Sequence, residues 1–190
     1  MESAFTRIYR ITPLHSEPDC LFAWNRFRYS GPLLRLSDGT QVERHCDCLE
    51  LHFRREAFLP LSGSADPALL ALDLLRRVNR ELPLLAEALQ KRPEFSTIRA
   101  VHALTQFHRG IGRYGFDVLP VHSSAEERWF TFWQSLILMR DHPSGQAAAA
   151  RLVEGRVVRH VWAGRDALIQ RYAASQWAGI GSSRGSCGST

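Results

Sequence analysis

The dipeptide Asp38-Gly39 constrains this chain more than any other feature, because it forces a tight reversal between two strand-forming runs. Glycine and aspartate supply the positive φ that short hairpin turns demand. Leu33 to Leu36 forms the incoming strand, Ser37-Asp38-Gly39-Thr40 the turn, and Gln41 to about Phe53 the outgoing strand. Near its end, Leu49, Leu51 and Phe53 alternate with Glu50, His52 and Arg54. A period of two turns the first set toward a core and the second toward the opposite face.

The rest of the chain mixes helical and extended patterns. Residues 1–31 are rich in aromatics and arginine, and the stretch 20–29 reads as a short helix packing on the domain. Asp66-Pro67 starts a helix, with Asp as cap and Pro at the first helical position. Leu69, Leu70, Leu72, Leu74, Leu75 and Val78 give it a broad apolar face. Pro83 is expected to end or kink it, leaving a second helical segment from Leu84 to Lys91 that stops at Pro93. Strands are expected at 97–105, 116–121 and 156–162, and helices at 125–139 and 164–173. Trp129, Phe130 and Trp133 fall on one face of the helix at 125–139, where they read as core. The Gly/Ser-rich stretch 176–190 reads as a disordered tail.

The expected fold class is therefore α+β: an N-terminal β-hairpin, a leucine-rich helix pair, then alternating strands and helices on one mixed sheet. The organisation is an extension over 1–31, one domain over 32–175 and the tail. At 190 residues and 45% apolar content, the chain can bury a core without disulfides or metals.

Composition excludes some functions. The net charge is +5, but Asp and Glu interleave with Arg and no arginine-rich arm exists, so nucleic acid is not an expected partner. The longest apolar stretch, Trp129 to Met139, is interrupted by Thr131, Gln134 and Ser135 and falls short of the roughly 20 residues a membrane span needs. Four cysteines with no apolar leader do not read as a disulfide framework, so the expected compartment is the cytoplasm.

Several segments in order carry a family resemblance: Leu34-Arg35-Leu36-Ser37-Asp38-Gly39-Thr40, Leu49-Glu50-Leu51-His52-Phe53, the leucine-rich helix and Ala103 to Gly110. Arg113-Tyr114-Gly115-Phe116-Asp117-Val118, Asp141-His142-Pro143 and Val161-Trp162 to Tyr172 continue the series. Together, over roughly residues 32–172, these resemble the YkoP-like domain, which occurs free-standing in bacteria and attached to polysaccharide deacetylase domains. The resemblance implies an accessory or ligand-binding role in cell-envelope polysaccharide or glycolipid metabolism. Partners would be a small anionic or sugar ligand, or a protein of that metabolism. It implies no established activity, and the chain lacks the aspartate pair and His-x-x-x-His motif of a deacetylase. Where the family carries a Gly-Asp pair, this chain reads Cys46-Asp47-Cys48, so a role for that glycine's backbone does not carry over.

Three constellations invite chemistry. His45-Cys46-Asp47-Cys48 offers zinc-type donors, but on a strand the two cysteines face away from His45, so no metal is expected there. Glu50, His52 and Arg54 line one strand face about 7 Å apart in steps of two, and His52 is kept as a candidate base. The strongest cluster is Thr105, His108, Arg109, Gly110, Gly112 and Arg113. Glycines at a strand-to-helix junction let backbone N–H groups approach an anion, and two arginines can hold a phosphate or carboxylate. The same segment resembles the acetyl-coenzyme A loop of acetyltransferases, although Phe107 stands where that loop has Arg or Gln. The transferase alternative uses His52 or His108 as base and Arg109 and Arg113 as phosphate holders; the remaining alternative is a structural interaction module. No fingerprint for a cofactor is present. His102 reads as an ordinary residue, and the scattered His15, His122, His142 and His160 carry no assignment.

Overall fold

The structure, a computed structural model, describes residues 11–54, 67–105, 108–120 and 158–178, with side chains placed outside 67–71 and 173–178. The expected helix at 125–139, the loop at 141–145, the Asp66 cap, Gln106, Phe107 and the tail past Ala178 lie outside the described residues.

The fold is α+β, built on a mixed sheet of six strands. In chain order the elements are β1 (Thr12–Pro13), β2 (Phe22–Arg28), β3 (Leu34–Arg35), β4 (Gln41–Val42), β5 (Asp47–Phe53), α1 (Pro67–Lys91), β6 (Ala100–Thr105), β7 (Asp117–Leu119), β8 (Arg159–Gly164) and α2 (Arg165–Ala178). The large sheet runs β1-β2-β5-β6-β8-β7, while β3 and β4 form a separate two-stranded hairpin. Only the β5–β6 pair is parallel among the described strands. Its crossover is α1, as a parallel connection requires. Among the described residues no helix is long and apolar enough to cross a membrane.

Alternation divides the sheet into two faces. Phe22 and Trp24 of β2, Leu49 and Leu51 of β5, Val101 of β6, and Val161 and Ala163 of β8 share one face by register. They pack with Leu82, Leu85, Ala88 and Leu89 of α1 and Leu168 of α2 into the main core. Phe95, fully buried after α1, meets the Trp24 ring edge-on at 4.7 Å between centroids. The opposite face carries Cys48, Ala100 and Trp162, which pack with Tyr29 and with Leu36 and Val42 of the hairpin region.

Three expectations are corrected. Residues 22–28 form a strand, not a helix, and pair along their whole length with β5. Phe22 and Trp24 point one way while Ala23 and Asn25 point the other, and all but the half-buried Trp24 are buried. The strand expected over 41–53 is two strands in two sheets. His45, at φ 71°, bends the chain between them, and its N–H donates to the Tyr29 carbonyl at 2.7 Å. The helix pair is one helix of 25 residues with Pro83 inside it. The missing Pro83 hydrogen bond is outweighed by burial of Leu82, Leu85, Ala86 and Leu89 on the sheet side.

The Asp38-Gly39 turn forms as expected, with Gly39 at φ 85° and Leu36 N–H donating to the Thr40 carbonyl at 2.9 Å. Asp38 has a second task. Its Oδ2 accepts from the Gly164 N–H at 2.8 Å, and Ser37 donates through N–H and Oγ to the Asp117 carboxylate at 2.6 and 2.5 Å. These bonds seat the hairpin across one end of the second sheet face.

Candidate functional site

Polar side chains gather on the second face of the sheet. Register places Asn25, Glu50, His102 and Trp162 in one row across β2, β5, β6 and β8. Ala23, His52, Leu104 and His160 follow: Ala23 pairs with His52, and Leu104 with His160. All of these positions share the parity that points away from α1 and α2.

His52 Nε2 lies 2.5 Å from Asn25 Oδ1 and 3.6 Å from Glu50 Oε2. An amide oxygen only accepts, so Nε2 carries the proton and Nδ1 is left as the basic nitrogen. Burial pushes the His52 pKa below the usual imidazole value, and the Glu50 carboxylate pulls it back. His102 Nε2 and His160 Nδ1 share a hydrogen bond of 2.8 Å. His102 is 7% exposed, and its Nδ1 is buried without a hydrogen-bond partner. Its pKa is pushed down to about 3 by burial first, then by His160 and His52. Glu50 Oε1 sits 3.7 Å from Nδ1, which would favour the charged ring, but that separation is too long for a hydrogen bond and desolvation wins. Rings wall the cluster: the His102 centroid is 4.4 Å from Trp162 and 5.7 Å from Phe27.

The result is an amide, a carboxylate and three imidazoles set beside two aromatic rings. Neutral His52 and His102 both donate and accept, so the row can bind hydroxyl groups, and His52 Nδ1 can take a proton.

The residues singled out from the sequence do not meet in one place. His52 lies on this face, whereas Thr105 is buried on the helix-side face, paired with Arg159. Gly110 and Gly115 take left-handed conformations at either end of a four-residue 3₁₀ turn, Ile111–Tyr114, too short for a helix-end anion site. Arg113 stacks its guanidinium on Tyr114 at 4.9 Å, and its carbonyl accepts from Arg171 of α2. Tyr172 donates to the Tyr114 carbonyl at 3.2 Å, so this turn is docked on α2. Arg109, Gly110 and Gly112 are exposed, with nothing within 4 Å of a side chain built at either glycine. His108 is half-buried before the turn. Cys48 is fully buried, and burial, with Cys46 and Asp47 nearby, pushes its thiol up to about 12.

Sequence comparison adds a relationship to this geometry. The YkoP domain matches residues 1–172. The chain belongs to that family. A Bacillus subtilis (strain 168) protein named "Uncharacterized protein YkoP" is 22% identical over 111 residues, 58% of this chain and 61% of its own length. The chain thus aligns with less than two-thirds of that relative. The family match begins at residue 1, so β1 and β2 fall within it. No solved structure matches significantly.

Proposed function

We propose that this chain is a ligand-binding protein whose site is the second face of the sheet, and that its ligand is a small, hydroxyl-rich, sugar-type molecule. The observation that carries this reading is the polar row: buried Asn25 and His102 with half-buried His52, Glu50 and His160, hydrogen-bonded or facing one another beside Trp162 and Phe27. Buried polar groups are costly unless satisfied, and His102 Nδ1 has no hydrogen bond. Imidazole and carboxylate at the half-buried His52 and Glu50 suit a sugar's hydroxyls. The family resemblance supports an accessory role in envelope polysaccharide or glycolipid metabolism. A second reading, acid–base catalysis as in a transferase, is favoured by the unprotonated Nδ1 of His52.

Thermal shift against neutral envelope oligosaccharides, nucleotide sugars, inorganic phosphate and acyl-coenzyme A tests these readings. A ligand at a hundred times its Kd adds about 2.7 kcal/mol and moves the midpoint by several degrees. The proposal expects a shift from the neutral sugars that His52→Ala abolishes and Arg109→Ala retains. A shift from phosphate alone, lost in Arg109→Ala, would move the site to the Arg109–Arg113 turn. No shift from any class would leave a protein-interaction module.

A further inference from the structure

A second cluster lies on the other side of the sheet, at the junction of the β1–β2 loop with α1. His15 and Cys20 come from that loop and Glu81 from the middle of the helix. His15 Nε2 sits 3.1 and 3.0 Å from the two Glu81 carboxylate oxygens, and Cys20 Sγ lies 3.9 Å from Oε2. One donor atom from each residue falls within 4.8 Å of the other two. Glu81 and Cys20 are fully buried, and the His15 side chain is 18% exposed.

We propose that His15, Cys20 and Glu81 form a binding site for a zinc-class divalent cation. The donor set is imidazole, thiolate and carboxylate, the three groups zinc takes from proteins. Metal–donor lengths of about 2.0–2.3 Å at tetrahedral angles put donor atoms about 3.3–3.7 Å apart. The His15–Glu81 and Cys20–Glu81 separations of 3.0 and 3.9 Å bracket that range, and all three donors lie within 4.8 Å of one another, so rotation of the His15 and Cys20 side chains by about an ångström or less closes the site. Arg80 Nη2, at 3.4 Å from Glu81 Oε1, offsets part of the cost of burying that carboxylate, and a dication would neutralise the carboxylate and the thiolate together. Binding releases the thiol proton to solvent, and the Cys20 S–H contact to the Phe22 carbonyl at 3.1 Å gives way to the metal–sulfur bond.

The loop is already held for this purpose. Arg92 donates to the Leu14 carbonyl at 2.7 Å, Arg80 pairs with Asp19 at 2.8 Å, and Cys20 N–H donates to the Glu17 carbonyl at 3.1 Å. Three protein donors leave a fourth position for water or a ligand atom. His15 also lines a surface groove with Pro13, Glu17, Arg54 and Arg92, so one edge of the site lies at the surface. The competing account is a buried Glu81 carboxylate satisfied by His15 and Arg80, with an uninvolved cysteine.

Cobalt(II) titration of the reduced, chelator-treated full chain separates the two. The site predicts one equivalent bound, a thiolate-to-metal charge-transfer band, and intense visible bands of tetrahedral cobalt. It also predicts that zinc displaces the cobalt and raises the melting midpoint. Cys20→Ser removes the charge-transfer band, Glu81→Gln weakens binding at least tenfold, and a Cys46→Ser/Cys187→Ser variant keeps the full signal. X-ray absorption of the zinc-loaded, unmutated chain, reading one sulfur among nitrogen and oxygen donors, covers the case in which a variant fails to fold. Absence of stoichiometric binding, a band lost with Cys46 and Cys187 instead, or a zinc shell without sulfur overturns the proposal and leaves the competing account.

Discussion

Acidification should weaken this protein through His102, and the size of the effect follows from where the ring sits. At 7% exposure, and with His160 and His52 as neighbours, the imidazole stays neutral in the native state down to a pKa of about 3. In the unfolded chain it titrates near 6.5. Below pH 6.5 the unfolded state therefore binds a proton that the native state refuses. The stability this group contributes is full above that pH and is lost as pH falls toward 3. Each pH unit inside the window costs about 1.4 kcal/mol, so the drop from pH 7 to pH 5 is about 2 kcal/mol. For a chain of this length that lowers the midpoint by about 4–8 °C. Urea unfolding at pH 7, 6 and 5 measures it. His102→Gln keeps a polar side chain but cannot take a proton, so its free energy should fall less steeply by about 1.4 kcal/mol per unit between pH 6 and 5. His52, shifted in the same direction by its own burial, is present in both proteins. Equal slopes for the two proteins would refute the reasoning and mean that native His102 accepts its proton, with Glu50 as the partner.

Two further perturbations test the packing that frames the site. Gly164→Ala puts a Cβ 2.0 Å from Thr40 Oγ1 and 2.9 Å from Thr40 Cβ; the first atom can rotate away, the second cannot. Overpacking together with loss of the Asp38 bond should cost about 2–4 kcal/mol in chemical denaturation, and Thr40→Gly in the same chain should recover part of it. Phe95→Ala removes a fully buried ring stacked edge-on against Trp24 and should cost about 3–5 kcal/mol by the same assay; a loss under 1 kcal/mol would mean the end of α1 is not packed on β2.

Local signals carried the elements whose patterns are self-contained. Asp38-Gly39 needs only its own backbone to specify a turn, and Leu49, Leu51 and Phe53 alternate cleanly because Glu50 and His52 on the other face are polar. β2 escaped because its second face is also buried. Ala23 at 4% and Asn25 at 8% exposure blur the alternation that Phe22 and Trp24 begin, and Pro13 and Pro18 before them suggest an irregular segment. α1 was cut at Pro83 because propensity argues for a break there, yet the apolar repeat continues across it through Leu85 and Leu89, and tertiary burial decided the outcome.

The polar row was illegible for a different reason, one of strand order. His52 was singled out from its own strand, but its partners lie 27 positions away at Asn25 and, through Glu50, at His102 on the next strand. His102 and His160 stand 58 positions apart, and only the antiparallel β6–β8 register brings their rings together. The strand order β2-β5-β6-β8 runs across a parallel pair closed by α1, so no spacing rule along the chain can encode it. Parity could have found the row once that order was known. Asn25, Glu50, His52, His102 and His160 all fall opposite the leucine and valine positions that face the helices. Five polar residues gathered on one face of a sheet whose other face packs on two helices are what set the proposed sugar site there, and the thermal-shift comparison of His52→Ala with Arg109→Ala decides between that face and the glycine turn at 110–112.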